Sequence, residues 1–164
     1  MTYVDAQRLS DQTSAWGWRN YWKTHAMGPL SGGAVAAVAE VFEAAASGAS
    51  LLLFEHLHGA LHRSPPGTNA LNFSGAKYDL LVEAKWNDPV RDDENVRWAR
   101  EGYARLEPFT RAGAYPNYLF QESRERVREA YGEAVYSRLV TLKERYDPTN
   151  FFRLNQNIQP ERLA

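Results

Sequence analysis

The chain has 164 residues and a formal net charge of −1, and because its acidic and basic residues are interleaved, no nucleic acid or anionic membrane is expected as a partner. Its size and ordinary apolar fraction predict a globule with a real core and exclude disordered and fibrous classes. The absence of cysteine excludes disulfides and thiolate catalysis. No apolar run reaches the ~20 residues that span a bilayer, and "MTYVDAQRLSDQ" lacks the pattern of a secretory signal, so we expect a cytoplasmic protein.

The first predicted element follows the aromatic stretch "WGWRNYWKTHA" and is a helix from Ala34 to Ala46. Ser31 can cap its free N–H groups, and this explains "GPLSGGA" better than a phosphate loop does, because the lysine and the glycine spacing of such loops are missing. Five apolar residues recur at helical spacing and predict its buried stripe: Val35, Val38, Val41, Phe42 and Ala45.

Two strands are predicted next. The run "SLLLFEHLHGALHR" is typical of a buried strand that reaches Gly59 and can continue to His62, and the paired prolines after it predict a loop. From Lys77 to Trp86 the residues alternate. The predicted core face carries Tyr78, Leu80, Val82, Ala84 and Trp86. The other face mixes Leu81 with charged residues, so it is either solvated or forms the wall of a site.

Three helices complete the pattern. The first is capped by Asp92 or Asp93 and runs to about Arg105. The others cover Glu122 to Tyr131, ended by Gly132, and Ala134 to Tyr146, whose predicted stripe is Val135, Leu139, Leu142 and Tyr146. Between them and the first helix lies the extended stretch "GAYPNYL". Strands and helices do not alternate strictly enough for a doubly wound fold, so the predicted class is α+β, an antiparallel sheet with helices packed on one face.

The histidines of "EHLHGALH" invite a metal interpretation, because His56 and His58 project to the same side of a strand. Hydrogen-bonded sheet histidines are the favoured alternative, since no carboxylate cluster at familiar spacing completes a ligand set. We expect no metal. No Gly-x-Ser-x-Gly elbow is present, so a hydrolase is not expected either.

The C-terminal third carries a specific resemblance. Tyr115-Pro116-Asn117-Tyr118, followed by "EAYGEAVYSRLVTLKERYDPTNFFRLNQNIQP", resembles the C-terminal signature of the berberine bridge enzyme-like oxidases, flavoproteins of the vanillyl-alcohol-oxidase superfamily. Upstream, "RNYWKTHAMGPLS", "HLHGALHR" and "LLVEAKWNDP" are similar to parts of the family's substrate domain. The resemblance implies that residues 1–112 are the C-terminal portion of a substrate domain, that residues 113–164 are the berberine-like segment, and that the FAD-binding domain is absent from this chain.

The resemblance also implies site residues. In the family, the first aromatic residue of Tyr-x-Asn-Tyr lies beside the flavin and helps to remove a proton from the substrate hydroxyl, which makes Tyr115 the best candidate base and Tyr118 the second. A phenol with a pKa near 10 needs a nearby cation, such as Lys23 or Lys85, or the flavin itself, to accept a proton near neutrality. From the residues alone, a tyrosine beside a proline is more often a packed loop residue.

The other candidates form three groups. The catalytic set adds Asp79 and Glu83, with solvated surface carboxylates as the alternative. The cofactor-binding set is Tyr115, Asn117, Asn155 and Asn157, because side-chain amides offer donors and acceptors. The substrate-binding set is Tyr21, Trp22, Glu55 and Leu81, the last being a departure if its position should be polar.

The implied function is the C-terminal part of an FAD-dependent oxidoreductase that oxidises an alcohol, sugar or polyketide-type substrate by hydride transfer to flavin. Alone it should be inactive, because FAD is bound mainly by a missing domain. Expected partners are an FAD-binding domain or chain, a small-molecule substrate and possible further copies of the chain. The alternatives are a stand-alone, non-catalytic module that pairs with itself or a separate flavin domain, and an unrelated α+β ligand-binding protein. Phe151 and Phe152 are expected to lie against a domain outside this chain.

Overall fold

A computed structural model describes residues 1–11, 14–63, 65, 69–72, 75–111, 113–120 and 122–161. In this part of the chain one sheet has the order β1-β3-β2, and both pairings are antiparallel. The strands are β1 Arg19–Met27, β2 Leu51–His56 and β3 Tyr78–Trp86. The α-helices are α1 Tyr3–Gln7, α2 Gly32–Glu43, α3 Ala60–Arg63, α4 Asp92–Leu106, α5 Arg124–Tyr131 and α6 Glu133–Tyr146. Short 3₁₀ turns cover Pro89–Arg91, Glu107–Phe109 and Pro116–Tyr118.

Helices α2 and α4 pack on one side of the sheet, which we call the helix face and which carries Leu80, Val82 and Ala84 of β3. The opposite side, the second face, carries Asp79, Leu81 and Glu83. The alternation of β3 therefore has the predicted phase, and the predicted α+β class with an antiparallel sheet is confirmed. Among the described residues, no helix combines the length and apolar character needed to cross a membrane.

The contact between α2 and α4 depends on small residues. A Cβ added at Gly102 would lie 2.7 Å from Cγ1 of Val41, so the two helices can approach this closely only with glycine at that position. The buried residues of α2 are Ala34, Ala37 and Val41. The predicted stripe is wrong at Val35 and Phe42, which are exposed, because the sheet and α4 meet the alanine side of the helix. Ser31 caps α2 as predicted, accepting a 3.2 Å bond from the Ala34 N–H.

The strand predicted to continue past His56 ends there instead. The Leu57 N–H still donates to the Lys77 carbonyl over 2.9 Å, and Gly59 then adopts a φ of +63° that turns the chain into α3. A positive φ is readily adopted by glycine and interrupts a strand. The loop predicted at residues 64–69 lies mostly outside the described residues.

Two details of the helical predictions are also wrong. Helix α4 begins at Asp92, but Arg91 is its N-cap and forms no capping bond, while Asp92 accepts bonds from Arg19 and Trp86. In α6 the buried residue is Val140, and Leu142 and Tyr146 of the predicted stripe are exposed, because α6 packs chiefly on α5. Gly132 ends α5 as predicted, with a φ of +75°.

Candidate functional site

The second face of β3 is buried, although no helix of the sheet core covers it. Asp79 is 1% exposed, and Leu81 and Lys85 are each 7% exposed. Asp79 lies opposite Ala26 of β1 and Glu55 of β2, and directly opposed residues of antiparallel strands share a face. Of the two interpretations that the sequence left open, a freely solvated face is therefore excluded for β3.

Residues 114–120 and 122, which we call the crossing segment, pass from the second face to the helix face around the edge of β1. The turn Pro116–Tyr118 lies on the second face. The ring of Phe120 then stands 5.0 Å from Trp22 and 5.8 Å from Tyr21, measured between ring centroids. Beyond it, the Glu122 carboxylate accepts a 2.5 Å bond from Lys23 Nζ.

Tyr118 and Glu55 are joined on the second face, where the phenol O–H of Tyr118 donates to Glu55 Oε1 over 2.9 Å. Glu55 stands beside Asp79 on the neighbouring strand. The crossing segment thus brings together three of the predicted site residues, which come from positions 55, 79 and 118 of the chain.

Asp79 has an incompletely satisfied carboxyl group. Its Oδ1 accepts a 2.8 Å bond from Thr24 Oγ1, while its buried Oδ2 finds no hydrogen-bond partner among the described residues. The pKa of Asp79 is raised from 3.8 to about 6, chiefly because burial disfavours the charged form; the Thr24 bond opposes the rise, the negative charge of Glu55 adds to it and the positive charge of Arg126 opposes it. A carboxyl group with this pKa can gain or lose a proton close to neutral pH.

The side chain beside Tyr118 is the carboxylate of Glu55, whereas a cation was expected there. Burial, followed by the hydrogen bond to Glu55 and its charge, raises the pKa of Tyr118 to about 12. Lys23 lies on the helix face and pairs with Glu122, and Lys85 pairs with Glu83 at 3.1 Å. The expectation that a lysine lowers the pKa is therefore wrong for Tyr118, which stays protonated and acts as a hydrogen-bond donor.

Tyr115 lies beside Tyr118, with ring centroids 5.1 Å apart and ring planes at 89°. Its hydroxyl oxygen accepts a 2.8 Å bond from Asn117 Nδ2. Asn117 therefore supplies a hydrogen-bond donor to the phenol oxygen of Tyr115. The motif residues Tyr115, Asn117 and Tyr118 form one connected group on the second face.

The other candidates on the second face lie along the strands. Glu83 and Lys85 form their ion pair one step further along β3 from Leu81, which lies between Thr24 and Leu53. Trp22 lies opposite Glu83, and its buried Nε1 donor has no partner in the described part of the chain. These residues extend the face as a wall of mixed apolar and charged character.

Three predicted residues are not brought to this group. Tyr21 points to the helix face, where its hydroxyl oxygen accepts a 3.1 Å bond from Arg100 Nε, so its expected contact with substrate stays a prediction. Asn155 is exposed with a φ of +59°, and the described contacts of Asn155 and Asn157 include none to Glu55, Asp79 or Tyr118. The chain returns nearby, since Gln156 Nε2 donates to the Leu119 carbonyl over 2.5 Å.

Thr24, whose hydroxyl is the hydrogen-bond partner of Asp79, was not among the predicted site residues. Thr24 lies in "RNYWKTHAM", which was not predicted as a strand. Its position on the same sheet face as Asp79 could therefore not be inferred from the sequence. The rings of His56 and His58 lie 4.7 Å apart and His56 stacks on Tyr78. No group of three metal-binding side chains is found within the residues that the structure describes.

Part of the chain matches a known protein family, and longer stretches of it have named relatives. Residues 114–159 match the family described as "Berberine and berberine like". An uncharacterised FAD-linked oxidoreductase, YgaK of Bacillus subtilis (strain 168), is 33% identical over 136 residues, which are 83% of this chain and 30% of that protein. The (R)-6-hydroxynicotine oxidase of Paenarthrobacter nicotinovorans is 54% identical over 89 residues, which are 50% of this chain and 19% of that protein.

The fold is similar to solved structures of flavoenzymes. The 6-hydroxy-D-nicotine oxidase of Arthrobacter nicotinovorans superposes with a TM-score of 0.77 at 27% identity over 97% of this chain and 36% of that one. The chain thus spans about a third of the length of the relatives that it matches. On the combined evidence of sequence and fold, the chain belongs to the berberine bridge enzyme-like FAD-linked oxidoreductases and corresponds to a C-terminal part of them.

Proposed function

We propose that this chain forms the substrate-side wall of an FAD-dependent oxidoreductase that oxidises an alcohol, sugar or polyketide-type substrate. The observation that carries the proposal is the meeting of Tyr115, Tyr118, Glu55 and the unpaired Asp79 Oδ2 on one buried face. Removing hydride from a C–H bond beside a hydroxyl requires that the hydroxyl also lose its proton, so the wall must contain a proton acceptor.

Tyr115 is the proposed base, and Asn117 is its supporting donor. Asp79 is the second proton-accepting group, because its raised pKa of about 6 still leaves it largely ionised at pH 7. Tyr118 donates to Glu55 and holds that carboxylate beside Asp79. Glu83, Leu81 and Trp22 are proposed to line the substrate space along the strands.

FAD would supply the hydride acceptor. The second face suits the reacting end of such a ring system, since it offers the unpaired Trp22 Nε1 donor and the Asp79 Oδ2 acceptor. It does not suit the diphosphate, because its described carboxylates are Glu55, Asp79 and Glu83 and its lysine is already paired. We therefore propose that the diphosphate and adenosine are held by protein outside these 164 residues.

The division of the chain supports the same proposal. The family match begins at residue 114, close to the proposed boundary between residues 1–112 and 113–164. Asn155 and Asn157, in the second of these parts, are proposed to contact the flavin or the protein that binds it. The cytoplasmic location expected from the sequence stays a prediction that cell fractionation tests.

Flavin retention by the purified chain tests the proposal that FAD is bound mainly by protein outside this chain. The chain is mixed with FAD, desalted and examined for flavin absorbance. We expect no stoichiometric flavin and no alcohol-dependent bleaching, because the described part of the second face carries the carboxylates of Glu55, Asp79 and Glu83, and its Lys85 is already paired with Glu83. A yellow chain that bleaches with an alcohol would contradict the proposal that FAD is held mainly elsewhere.

A stand-alone interaction module is the second candidate function. It is favoured by Phe151 and Phe152, which are 74% and 76% exposed, so they are not part of this chain's own core. Their backbone N–H groups donate to Asp147 over 2.8 and 3.0 Å, which holds two exposed rings in place. Sedimentation of the purified chain over a range of concentrations distinguishes the two candidate functions. A module that pairs with itself forms a dimer, whereas part of an enzyme that binds a flavin domain stays monomeric when that domain is absent.

A further inference from the structure

The ion pair between Lys23 and Glu122 lies on the helix face, on the other side of the sheet from the chemistry proposed above, at the end of the segment that carries both motif tyrosines. Lys23 Nζ and Glu122 Oε1 are 2.5 Å apart, and the two side chains are only 14% and 13% exposed. Lys23 also lies over the ring of Tyr103 on α4, 5.8 Å from its centroid. A partly buried pair of this kind strongly disfavours removal of one partner, because the other charge is left without compensation.

The crossing segment is fixed at three points, namely Tyr118, Phe120 and Glu122. At one end, Tyr118 donates to Glu55 on the second face. At the other end, Glu122 accepts from Lys23 on the helix face. Between them Phe120 packs on Trp22 and Tyr21, which point to opposite faces of β1. The backbone cannot move at one end without straining the contacts at the other, since only a few residues separate them.

We propose that Lys23 and Glu122 are positioning residues, whose ion pair holds the crossing segment around the edge of β1 and thereby sets Tyr118 against Glu55. Neither residue reaches the second face, so their effect on the site passes through the segment. A catalytic effect of this ion pair rests on the proposed function of the second face. The positioning of Tyr118 does not rest on that function, because its hydrogen bond to Glu55 can be tested without substrate or flavin.

The ionisation of Tyr118 provides the measurement. Tyr118 is held protonated by its burial, by Glu55 on β2 and by Asp79 on β3, with Tyr115 beside it. If the segment lifts away, these influences weaken and the phenol returns toward its reference pKa of about 10. Labelling the tyrosines with ¹³C at Cζ and recording NMR spectra as a function of pH follows each phenol, and the variant Tyr118→Phe identifies the signal.

The main variant is Glu122→Gln, which keeps the shape of the side chain and removes its charge. The pKa of Tyr118 is expected to fall from about 12 toward 10 in this variant. Lys23→Met should give the same shift, and the exchanged pair Lys23→Glu with Glu122→Lys should restore the wild-type titration. Glu40→Gln is the matched control, because it breaks an exposed ion pair with Arg105 elsewhere on the surface and should leave Tyr118 unchanged.

Near-ultraviolet circular dichroism at each pH establishes that the variant is folded. A folded Glu122→Gln chain in which Tyr118 titrates as in the wild type overturns the proposal. If Glu122→Gln does not fold, Glu122→Asp takes its place, because it keeps the charge and shortens the reach by one methylene group. An unchanged Tyr118 titration in Glu122→Asp likewise overturns the proposal, whereas a lowered pKa supports it. The titration uses neither flavin nor substrate. Its outcome therefore tests the positioning separately from the proposed function.

Discussion

At the scale of single residues, Asp79 and His25 lie on opposite faces of the sheet and are both buried ionisable groups. Asp79 has a raised pKa of about 6 and His25 a lowered one of about 4, in each case chiefly because burial disfavours the charged form. His25 stacks on Tyr103 with ring centroids 3.8 Å apart, and its Nε2 lies 2.8 Å from the Tyr103 carbonyl. The two groups affect the pH dependence of stability in opposite directions.

Replacing Asp79 with Asn removes the cost of ionising a buried carboxyl group. In the wild type the folded state binds more protons than the unfolded state between pH 3.8 and about 6, so the contribution of Asp79 to stability falls as the pH rises through this window. Relative to the wild type, Asp79→Asn should therefore become more stable from pH 4 to pH 7, by about 2 kcal/mol. Urea denaturation at a series of pH values measures this, and a constant difference would contradict the account.

His25→Phe should produce the opposite trend. Unfolded His25 has the ordinary pKa of 6.5 and folded His25 one of about 4, so the unfolded state binds the extra proton and the wild type loses stability as the pH falls through that range. Relative to the wild type, His25→Phe should gain about 3 kcal/mol between pH 7 and pH 4 while keeping a ring against Tyr103. The same denaturation series measures it, and a pH-independent difference would show that His25 is not held neutral in the fold.

Several of the candidate residues nominated from the sequence lie together in the structure, but their contacts were not foreseen. Tyr115, Tyr118, Glu55 and Asp79 were all nominated, and the structure places them together. The partner of Tyr118 was not foreseen, because the bond to Glu55 joins residues 63 positions apart. Local patterns carry no information about such pairs.

At the scale of elements, β3 and α4 were predicted closely, whereas β1 was not predicted as a strand. The alternation of β3 is visible because its helix face is uniformly apolar. In β1 the helix face carries Lys23 and His25, which are accommodated by Glu122 and Tyr103 from distant parts of the chain. An alternation of polar and apolar residues therefore never appears in its sequence.

Gly102→Ala tests the close packing of α2 on α4. Alanine favours the helix by up to about 1 kcal/mol over glycine, but its Cβ would lie 2.7 Å from Val41 Cγ1, and overpacking of this kind costs about 1–3 kcal/mol. We expect a net loss of stability in chemical denaturation. The double variant with Val41→Ala should recover part of the loss from the removed clash; if Gly102→Ala alone is more stable than the wild type, the helices are not held at this distance.

At the scale of the whole molecule, the exposed rings near the C-terminus are the surface that we propose to contact a flavin-binding domain. Phe151, Phe152 and Leu154 are all exposed, and Lys143 and Asp147 hold the backbone of this stretch through bonds to Phe152 and Phe151. Strand β2 pairs with β3 on one side, and no other strand of the described residues lies along its outer edge. Both features are surfaces that another domain or chain can cover.

The double variant Phe151→Ser with Phe152→Ser separates folding from association. Since both rings are exposed, the unfolding free energy of the isolated chain should change by less than about 0.5 kcal/mol. Binding to a flavin domain, measured by calorimetry, should weaken at least tenfold, because a buried aromatic contact is lost. Equal binding by variant and wild type would place the interface elsewhere on the chain.

The most direct measurement uses FAD-loaded protein, made by joining this chain to the flavin-binding part of the (R)-6-hydroxynicotine oxidase from Paenarthrobacter nicotinovorans. Flavin reduction is followed by stopped-flow absorbance with a panel of hydroxylated substrates. Tyr115→Phe should retain flavin and slow reduction by about 10²–10⁴-fold, as expected for loss of a general base, whereas the control Tyr3→Phe at an exposed site should reduce at the wild-type rate. Reduction of Tyr115→Phe at the wild-type rate would contradict the central claim that this chain supplies the proton acceptor.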